Sequence, residues 1–351
     1  MDAKKMHRRA FLKATGGALA LGVTGIRPWA AGAEESADPM TVGEAVLQVK
    51  DPAHIKLLQF TDIHFFNFAR GRDRNEDTAS ALLRLVEINA PDVIAVTGDL
   101  WHDNPEGRGE EYMRYAIDKL EALGMPWFFT WGNHDLLDDF GKGHEAFTHA
   151  KHSLYRGAGG NGNYLVRCVN SAGAPVWDFI CLNTTRLGVQ EEQKQWLREL
   201  RRAREGMNAL PPAFAVFHIP IKQYDDVWEQ KIASGVKLEK VCLEQEDGSA
   251  LDVFKELGTV RAVICGHDHV NDYSGICEGI DLIYGRATGY GGYGEREVPK
   301  GAKIYTINAE TGTYSWWSIT PEGKRWRPAP GVRYEKREDV RWDYPDDGEP
   351  S

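Results

Sequence analysis

From residue 54 onward, short runs of β-branched and aromatic residues alternate with segments whose apolar positions recur every three or four residues, the pattern of stacked α and β layers. Residues 54–61, 92–97, 126–130, 176–182, 213–217 and 260–265 read as strands. Residues 78–89, 110–123 and 190–204 read as helices. In the first helix Leu82, Leu83, Leu85, Val86 and Ile88 form an apolar face and Pro91 ends it; in the third, Trp196, Leu197 and Leu200 face inward and the charges outward. After residue 275 no long helix is predicted. Residues 280–284, 302–307 and 314–319 read as antiparallel strands, with Glu310-Thr311-Gly312 as a hairpin signal. The pattern predicts one domain over residues 54–326, an N-terminal lead-in over 34–53 and a charged, Pro-rich tail over 327–351, mobile from residue 335. No internal repeat is present.

Residues 1–33 depart from this pattern. Lys4, Lys5, Arg8, Arg9 and Lys13 form a basic head, a small apolar run follows from Ala14 to Val23, and Ala31-Gly32-Ala33 supplies an A-x-A cleavage pattern. This is read as a signal peptide. Its Arg8-Arg9-Ala10-Phe11-Leu12-Lys13 segment resembles the twin-arginine export consensus, which implies a partner in the twin-arginine export machinery. That route carries folded proteins, so the resemblance also implies a cofactor loaded before export and a periplasmic or extracellular mature protein. A membrane anchor needs about twenty consecutive apolar residues, and none occurs in the mature chain.

Composition narrows the classes further. With 42% hydrophobic and 27% charged residues, no three-residue glycine period and 5 Cys in 351 residues, disordered, collagenous and disulfide-framework proteins are excluded. The net charge of −10 becomes −15 once the six basic residues and one acidic residue of the signal peptide are removed. Such an acidic chain offers no electrostatic footprint for long nucleic acid. Cys168, Cys181, Cys242, Cys265 and Cys277 show no C-x-x-C spacing, and Cys181 and Cys265 fall inside predicted core strands.

The chemistry lies where the predicted strands end. Leu57-Leu58-Gln59-Phe60-Thr61 leads into Asp62-Ile63-His64, and Val93-Ile94-Ala95-Val96-Thr97 into Gly98-Asp99. Phe128-Phe129-Thr130-Trp131 leads into Gly132-Asn133-His134-Asp135, Phe214-Ala215-Val216-Phe217 into His218, and Val263-Ile264-Cys265 into Gly266-His267-Asp268-His269. Ligands of stacked α/β folds bind at the carboxyl ends of strands, so these five termini are expected to converge on one cleft. Asp62, His64, Asp99, Asn133, His218, His267 and His269 are too many for one four-coordinate ion and suit two ions sharing a carboxylate. The glycines before Asp99, Asn133 and His267 are expected to allow the tight turns that swing each ligand over its strand end.

Asp-x-His, Gly-Asp, Gly-Asn-His-Asp, a lone strand-end His and Gly-His-x-His, in this order, resemble the calcineurin-like metallophosphoesterase superfamily over roughly residues 54–310. Phe217-His218-Ile219-Pro220, Gly162-Asn163-Tyr164, the run from Gly266 to Asp272 and the run from Tyr284 to Gly294 look most like its purple-acid-phosphatase-related subgroup. The resemblance implies an α/β fold, a two-sheet β-sandwich flanked by helices in four layers. It also implies two divalent or trivalent ions, of manganese, iron or zinc. One would be held by Asp62, His64, Asp99 and His269, the other by Asp99, Asn133, His218 and His267, with Asp99 bridging.

The implied activity is hydrolysis of a small-molecule phosphate ester, with in-line attack by a hydroxide shared between two ions about 3.5–4 Å apart. His134 would stay unmetallated and protonate the leaving alkoxide, and Asn133 would also face the substrate. Three residues after the bridging Asp, purple acid phosphatases carry a Tyr ligand and calcineurin-type phosphatases an Asp; this chain has His102. His102 is read either as a substrate-contacting catalytic residue, as in the repair nucleases of the superfamily, or as a rim histidine. The first reading keeps a nuclease or nucleotide phosphodiesterase as the alternative function, and a scaffold without catalysis as a third.

The loops carry the remaining expectations. The segment from Gly157 to Tyr164 and the segment from Gly285 to Gly294 are read as closing over the cleft, with Arg286 as a phosphate clamp, or as turns. Arg70, Arg72 and Arg74 form a small basic cluster near the first motif. Asp103, Asp135 or Asp268 is expected to orient an imidazole, and the sequence does not distinguish among them.

Overall fold

The strand-end motifs acquire positions in a computed structural model that describes residues 42–68, 73–206 and 210–342. The signal peptide, residues 34–41 of the lead-in, Arg70, Arg72 and the last nine residues lie outside the described residues. The chain runs through β1 (Gly43–Gln48), β2 (Ile55–Phe60), α1 (Asn75–Asn89), β3 (Val93–Thr97), α2 (Gly109–Glu121), β4 (Trp127–Thr130) and α3 (Phe140–His149). The middle comprises β5 (Tyr164–Val169), β6 (Pro175–Cys181), α4 (Glu191–Ala203), β7 (Ala213–Val216), α5 (Gln223–Glu229), β8 (Ala233–Lys237), α6 (Ala250–Leu257) and β9 (Val260–Cys265). The last strands are β10 (Asn271–Cys277), β11 (Ile280–Tyr284), β12 (Ala302–Asn308), β13 (Thr313–Ile319), β14 (Arg325–Trp326) and β15 (Arg333–Tyr334).

These strands build two sheets. One is nine-stranded, in the order β1-β5-β6-β7-β9-β11-β10-β8-β15, and the other six-stranded, in the order β14-β13-β12-β2-β3-β4. β2, β3 and β4 are parallel neighbours, as are β6, β7, β9 and β11. Parallel strands covered on both faces are continuously apolar, and Val93–Thr97 is buried at every position.

The two-residue period of β6 and β7 shows the layering. Trp177, Phe179, Phe214 and Val216 point between the sheets, whereas Ile180, Leu182, Ala213 and Ala215 pack outward with Trp196, Leu197 and Leu200 of α4 and with Phe254 of α6. Across the inter-sheet layer Phe179 stacks on Phe128 at 5.2 Å and Phe214 meets Tyr305 at 5.6 Å. Leu82 and Leu85 of α1 and Met113 and Ala116 of α2 join that same core. Each fully buried Leu, Ile, Val, Phe or Met side chain contributes about 1.5–3 kcal/mol. The arrangement is the two-sheet sandwich flanked by helices that the family resemblance implies. Leu83, counted in the apolar face of α1, is instead exposed.

Both ends of the domain differ from expectation. Within the lead-in, β1 pairs in parallel with β5. Within the stretch read as a tail, β15 pairs in parallel with β8, and Val340 and Trp326 pack with Val236, Val270 and Val298. Trp342 of this stretch packs with Trp326 over a buried ionic cluster.

At the centre of that cluster is Asp272, which accepts hydrogen bonds from Arg286 Nε at 2.7 Å, Lys303 Nζ at 2.6 Å and Ser318 Oγ at 2.8 Å. All four residues have zero exposure. Arg286 lies under the rings of Trp326, at 5.3 Å, and Trp342, at 4.8 Å. Burial pushes the Lys303 ammonium down to about 8, with Asp272 opposing the shift. Arg286 is therefore a structural counter-ion and not a phosphate clamp, a correction forced by partners that stand far from it in sequence.

Candidate metal centre

The carboxyl ends of β2, β3, β4, β7 and β9 meet at one edge of the sandwich, where the two sheets present their loops to a common cavity of about 200 Å³. Four of the expected ligands sit at positive φ: Asp62 at 52°, His64 at 51°, Asp99 at 54° and His267 at 81°. Non-glycine residues in this region cost about 1–3 kcal/mol each. Here the turns are held from both sides. Asp62 N–H donates to the Gly98 carbonyl at 3.1 Å, His64 N–H to the Asp99 carbonyl at 2.9 Å, and His267 N–H to Asp62 Oδ2 at 3.1 Å. The Asp135 carboxylate accepts N–H bonds from Asp99, Leu100, Trp101 and Gly132 at 2.7–3.2 Å, so it pins a loop and orients no imidazole.

Of the three motif glycines only Gly98, at φ 82°, uses the left-handed region; a Cβ there would also come 2.5 Å from His218 Nδ1. Gly132 and Gly266 are instead required by close approach, to Asp99 and to Thr61 respectively.

Two ligand sets result. Asp62 Oδ1 lies 3.3 Å from His269 Nε2, which lies 3.1 Å from His64 Nε2. His218 Nε2 lies 3.2 Å from His267 Nδ1 and 3.0 Å from Asn133 Oδ1. Asp99 stands between them, with Oδ2 at 3.4 Å from His64 Nε2 and at 3.3 Å from His218 Nε2. Its Oδ1 accepts the His134 N–H at 2.9 Å.

Carbonyls fix the tautomers behind this cluster. His218 Nδ1 donates to Thr97 O at 2.8 Å and His269 Nδ1 to Tyr293 O at 3.3 Å, so both Nε2 lone pairs point inward. Asp62 Oδ1 is buried without a hydrogen-bond donor. Burial disfavours a charged His218, but Asp99 and Asp62 outweigh it and push the imidazole up to about 10. Burial likewise opposes charge on Asp62 and Asp99, yet the histidines beside them, His269 and His218 foremost, hold both carboxyls well below the usual range. The pocket demands positive charge at its centre. Converging carboxylate, amide and imidazole donors with inward lone pairs fit two hard or borderline cations.

His134 and His102 stand at the mouth of the cavity, ring on ring at 4.6 Å and 20°. His134 Nδ1 donates to Asp103 Oδ1 at 2.8 Å. Burial opposes the imidazolium of His134, while Asp103 and Asp99 more than compensate and raise its pKa. Burial and the neighbouring His134 lower that of His102.

The sequence signature of calcineurin-like phosphoesterases matches residues 55–271. The chain belongs to this family. Among its relatives is a protein named probable inactive purple acid phosphatase 28 of Arabidopsis thaliana, 27% identical over 78% of this chain and 80% of the relative. Phosphatase DCR2 of Saccharomyces cerevisiae is 24% identical over 67% of this chain and 47% of the relative. A crystal structure of a dimetal phosphatase from Danio rerio shares the fold, with a TM-score of 0.52 and 15% identity over 81% of this chain and 98% of that one.

Around this phosphoesterase centre, several residues act that no motif announces. Glu244 Oε1 lies 3.6 Å from His267 Nε2, on the side of the ring facing away from His218. Tyr293 stacks on His269 at 4.0 Å while its hydroxyl donates to the Glu239 carboxylate at 2.9 Å. Gly292 lets this loop press on His269, since a Cβ would stand 2.5 Å from the ring. The segment from Gly285 to Gly294 thus buttresses His269, and the segment from Gly157 to Tyr164 is a turn whose Asn163 Oδ1 accepts the Asn183 N–H at 2.9 Å. Asp268 accepts from Tyr284 Oη at 2.7 Å and from the Cys242 N–H, so it too orients no ligand ring. Arg74 is occupied by Asp77 at 3.0 Å and Glu295 at 2.7 Å and lies over Tyr290. All five cysteines are free thiols. Larger grooves of about 530 and 500 Å³ lie between α2 and α3 and beside Trp228, but neither gathers a comparable donor set. Among the described residues no helix is long and apolar enough to cross a membrane.

Proposed function

We propose that this chain is an exported metal-dependent hydrolase of small phosphate esters, working with two ions. The observation that carries the reading is Asp99, whose one carboxylate oxygen stands within 3.4 Å of an imidazole nitrogen from each ligand set. Asp62, His64 and His269 would complete one ion's ligands and Asn133, His218 and His267 the other's. When bound, such ions supply Lewis acidity that orients a phosphoryl group and lowers the pKa of water.

The protein's own groups do the rest. The Asp99 carboxylate, fixed by the His134 N–H, holds the two ligand sets in register. The His134 ring, aligned by Asp103, keeps a proton at the mouth of the cavity for a departing alkoxide. Among the described residues that line the cavity there is no lysine or arginine, and the acidic net charge offers no footprint for long nucleic acid. The nuclease alternative drew on His102 as a phosphate contact, and its Nδ1 is instead turned to His64. The names of the Arabidopsis relatives favour a second reading, a metal-binding scaffold without catalysis.

A panel of aryl monoester, aryl diester, alkyl monoester, nucleotides and single-stranded DNA, offered to protein reconstituted with manganese, zinc or iron, separates these readings. Ester hydrolysis that requires two ions per chain is expected; no turnover by fully loaded protein would establish the scaffold instead. His134→Gln should lower kcat about 100- to 1000-fold on the alkyl ester, less on the activated aryl ester, with both ions retained. Equal losses on the two esters would contradict a leaving-group role. For export, Arg8→Lys with Arg9→Lys should hold the precursor in the cytoplasm, and an unchanged exported yield would refute the twin-arginine route.

A further inference from the structure

The outer edge of the centre contains an arrangement that the two ligand sets leave unexplained. His64 turns Nε2 toward Asp99 and His269, and its other ring nitrogen, Nδ1, lies 3.2 Å from His102 Nδ1. One proton must lie between these two nitrogens. A cation taken up by Nε2 of His64 requires the proton of that ring on Nδ1, which then donates to His102. His102 must accept through its own Nδ1 and carry its proton on Nε2. That Nε2 lies 3.7 Å from Asp103 Oδ2, beyond hydrogen-bond distance, so Asp103 acts on it through its charge. Every tautomer in the row is thereby fixed by a single condition, a cation on the inner side of His64.

The row is also held mechanically. His102 N–H donates to the Phe65 carbonyl at 3.0 Å and Asp103 N–H to the His134 carbonyl at 2.9 Å. The His102 ring is packed face to face on His134 and edge to face on His64, at 5.1 Å. Asp103 closes the row, since its other oxygen takes the His134 Nδ1 proton at 2.8 Å. One carboxylate therefore serves the outer arm of a metal ligand and the imidazole at the cavity mouth.

We propose that His102 is a positioning residue which, backed by Asp103, orients His64 and raises its basicity for the ion shared with Asp62 and His269, and that it does not bind substrate. The inference rests on the two-ion reading and assigns to one of the two sites an outer arm made of a second histidine. Removal of such an outer hydrogen-bond partner costs about 10- to 100-fold in metal affinity.

The test is chelator-competition titration of the metal-free full-length protein with Zn²⁺, repeated with Co²⁺ to follow its visible absorption. Wild type should load two ions. His102→Ala should weaken one of the two steps about 10- to 100-fold, leave the other unchanged and leave KM for an aryl phosphate unchanged at saturating metal. His102→Gln, whose amide oxygen can accept the His64 Nδ1 proton, should restore most of the lost affinity. In an Asp62→Ala background, which removes the site in question, His102→Ala should have no further effect on the remaining step.

Unchanged affinity in both steps, or a raised KM with both ions held at wild-type strength, would overturn the proposal. Loading of fewer than two ions by wild type would overturn the two-ion reading itself, a different outcome. Melting curves of the metal-free variants distinguish a local effect from a folding defect, and His102→Gln supplies the test should the alanine variant fail to fold.

Discussion

Asp99→Asn is expected to reduce phosphoester hydrolysis by at least about a thousandfold and to leave no more than one ion per chain. The substitution preserves the shape of the side chain. It removes the negative charge that faces His64 and His218 at 3.4 and 3.3 Å, and the same charge that keeps a cation favourable on the buried His218. An amide can turn only one acceptor oxygen to the cluster. Its NH₂ would meet either the two imidazole lone pairs or the His134 N–H that now donates to Oδ1 at 2.9 Å. Elemental analysis after reconstitution, alongside steady-state rates, is the measurement. An Asp99→Asn protein that keeps two tightly held ions would refute the bridging assignment, whatever its activity.

Asp272→Asn should be the most damaging change outside the centre, destabilising the fold by about 3–5 kcal/mol. That is a large share of the 5–15 kcal/mol typical of a domain. The carboxylate is the anion shared by Arg286 and Lys303, all three with zero exposure. Lys303 can shed its proton, because burial has already pushed it down to about 8. Arg286 cannot, so it would carry an uncompensated charge under Trp326 and Trp342. Denaturant titration at neutral pH should show the loss, with a melting temperature lower by roughly 5–15 °C. Adding Arg286→Met and Lys303→Met to Asp272→Asn should recover much of it, since well-packed apolar residues replace buried ionic clusters at little cost. A single variant melting within a degree or two of wild type would show that Asp272 is not the counter-ion of the cluster.

Much of the centre was legible because its ligands follow apolar strands. Val93-Ile94-Ala95-Val96-Thr97 reads as a buried strand on hydrophobicity alone, and whatever polar residue follows it must lie at the carboxyl edge of the sheet. Five such termini place Asp62, Asp99, Asn133, His218 and His267 at one edge without any knowledge of distances. Arg286 shows where this reasoning fails. Its position, two residues after β11, is as favourable for a ligand as that of Asp62 after β2, and only the path of the tail, which brings Trp326 and Trp342 onto the guanidinium, turns it inward. Glu244 and Tyr293 were not legible at all, since they lie on loops and act through a carboxylate edge and a main-chain carbonyl, features without a residue pattern. The edge strands β1 and β15 were missed for a related reason. An edge strand has one hydrogen-bonded neighbour and lacks the continuous apolar run of a central one.

By itself, then, the sequence determined stacked α/β layers and the donors gathered at their strand ends, because hydrophobic period and strand-end position are local properties of the chain; the two-sheet sandwich followed from the family resemblance. Tertiary structure decided what each polar side chain faces. Whether Asp135 holds an imidazole or a loop, whether Arg286 meets a phosphate or Asp272, and whether His102 meets substrate or His64 depend on partners contributed by other loops and strands. A hydrogen bond is settled within about 3 Å, a distance that no spacing along the chain can fix.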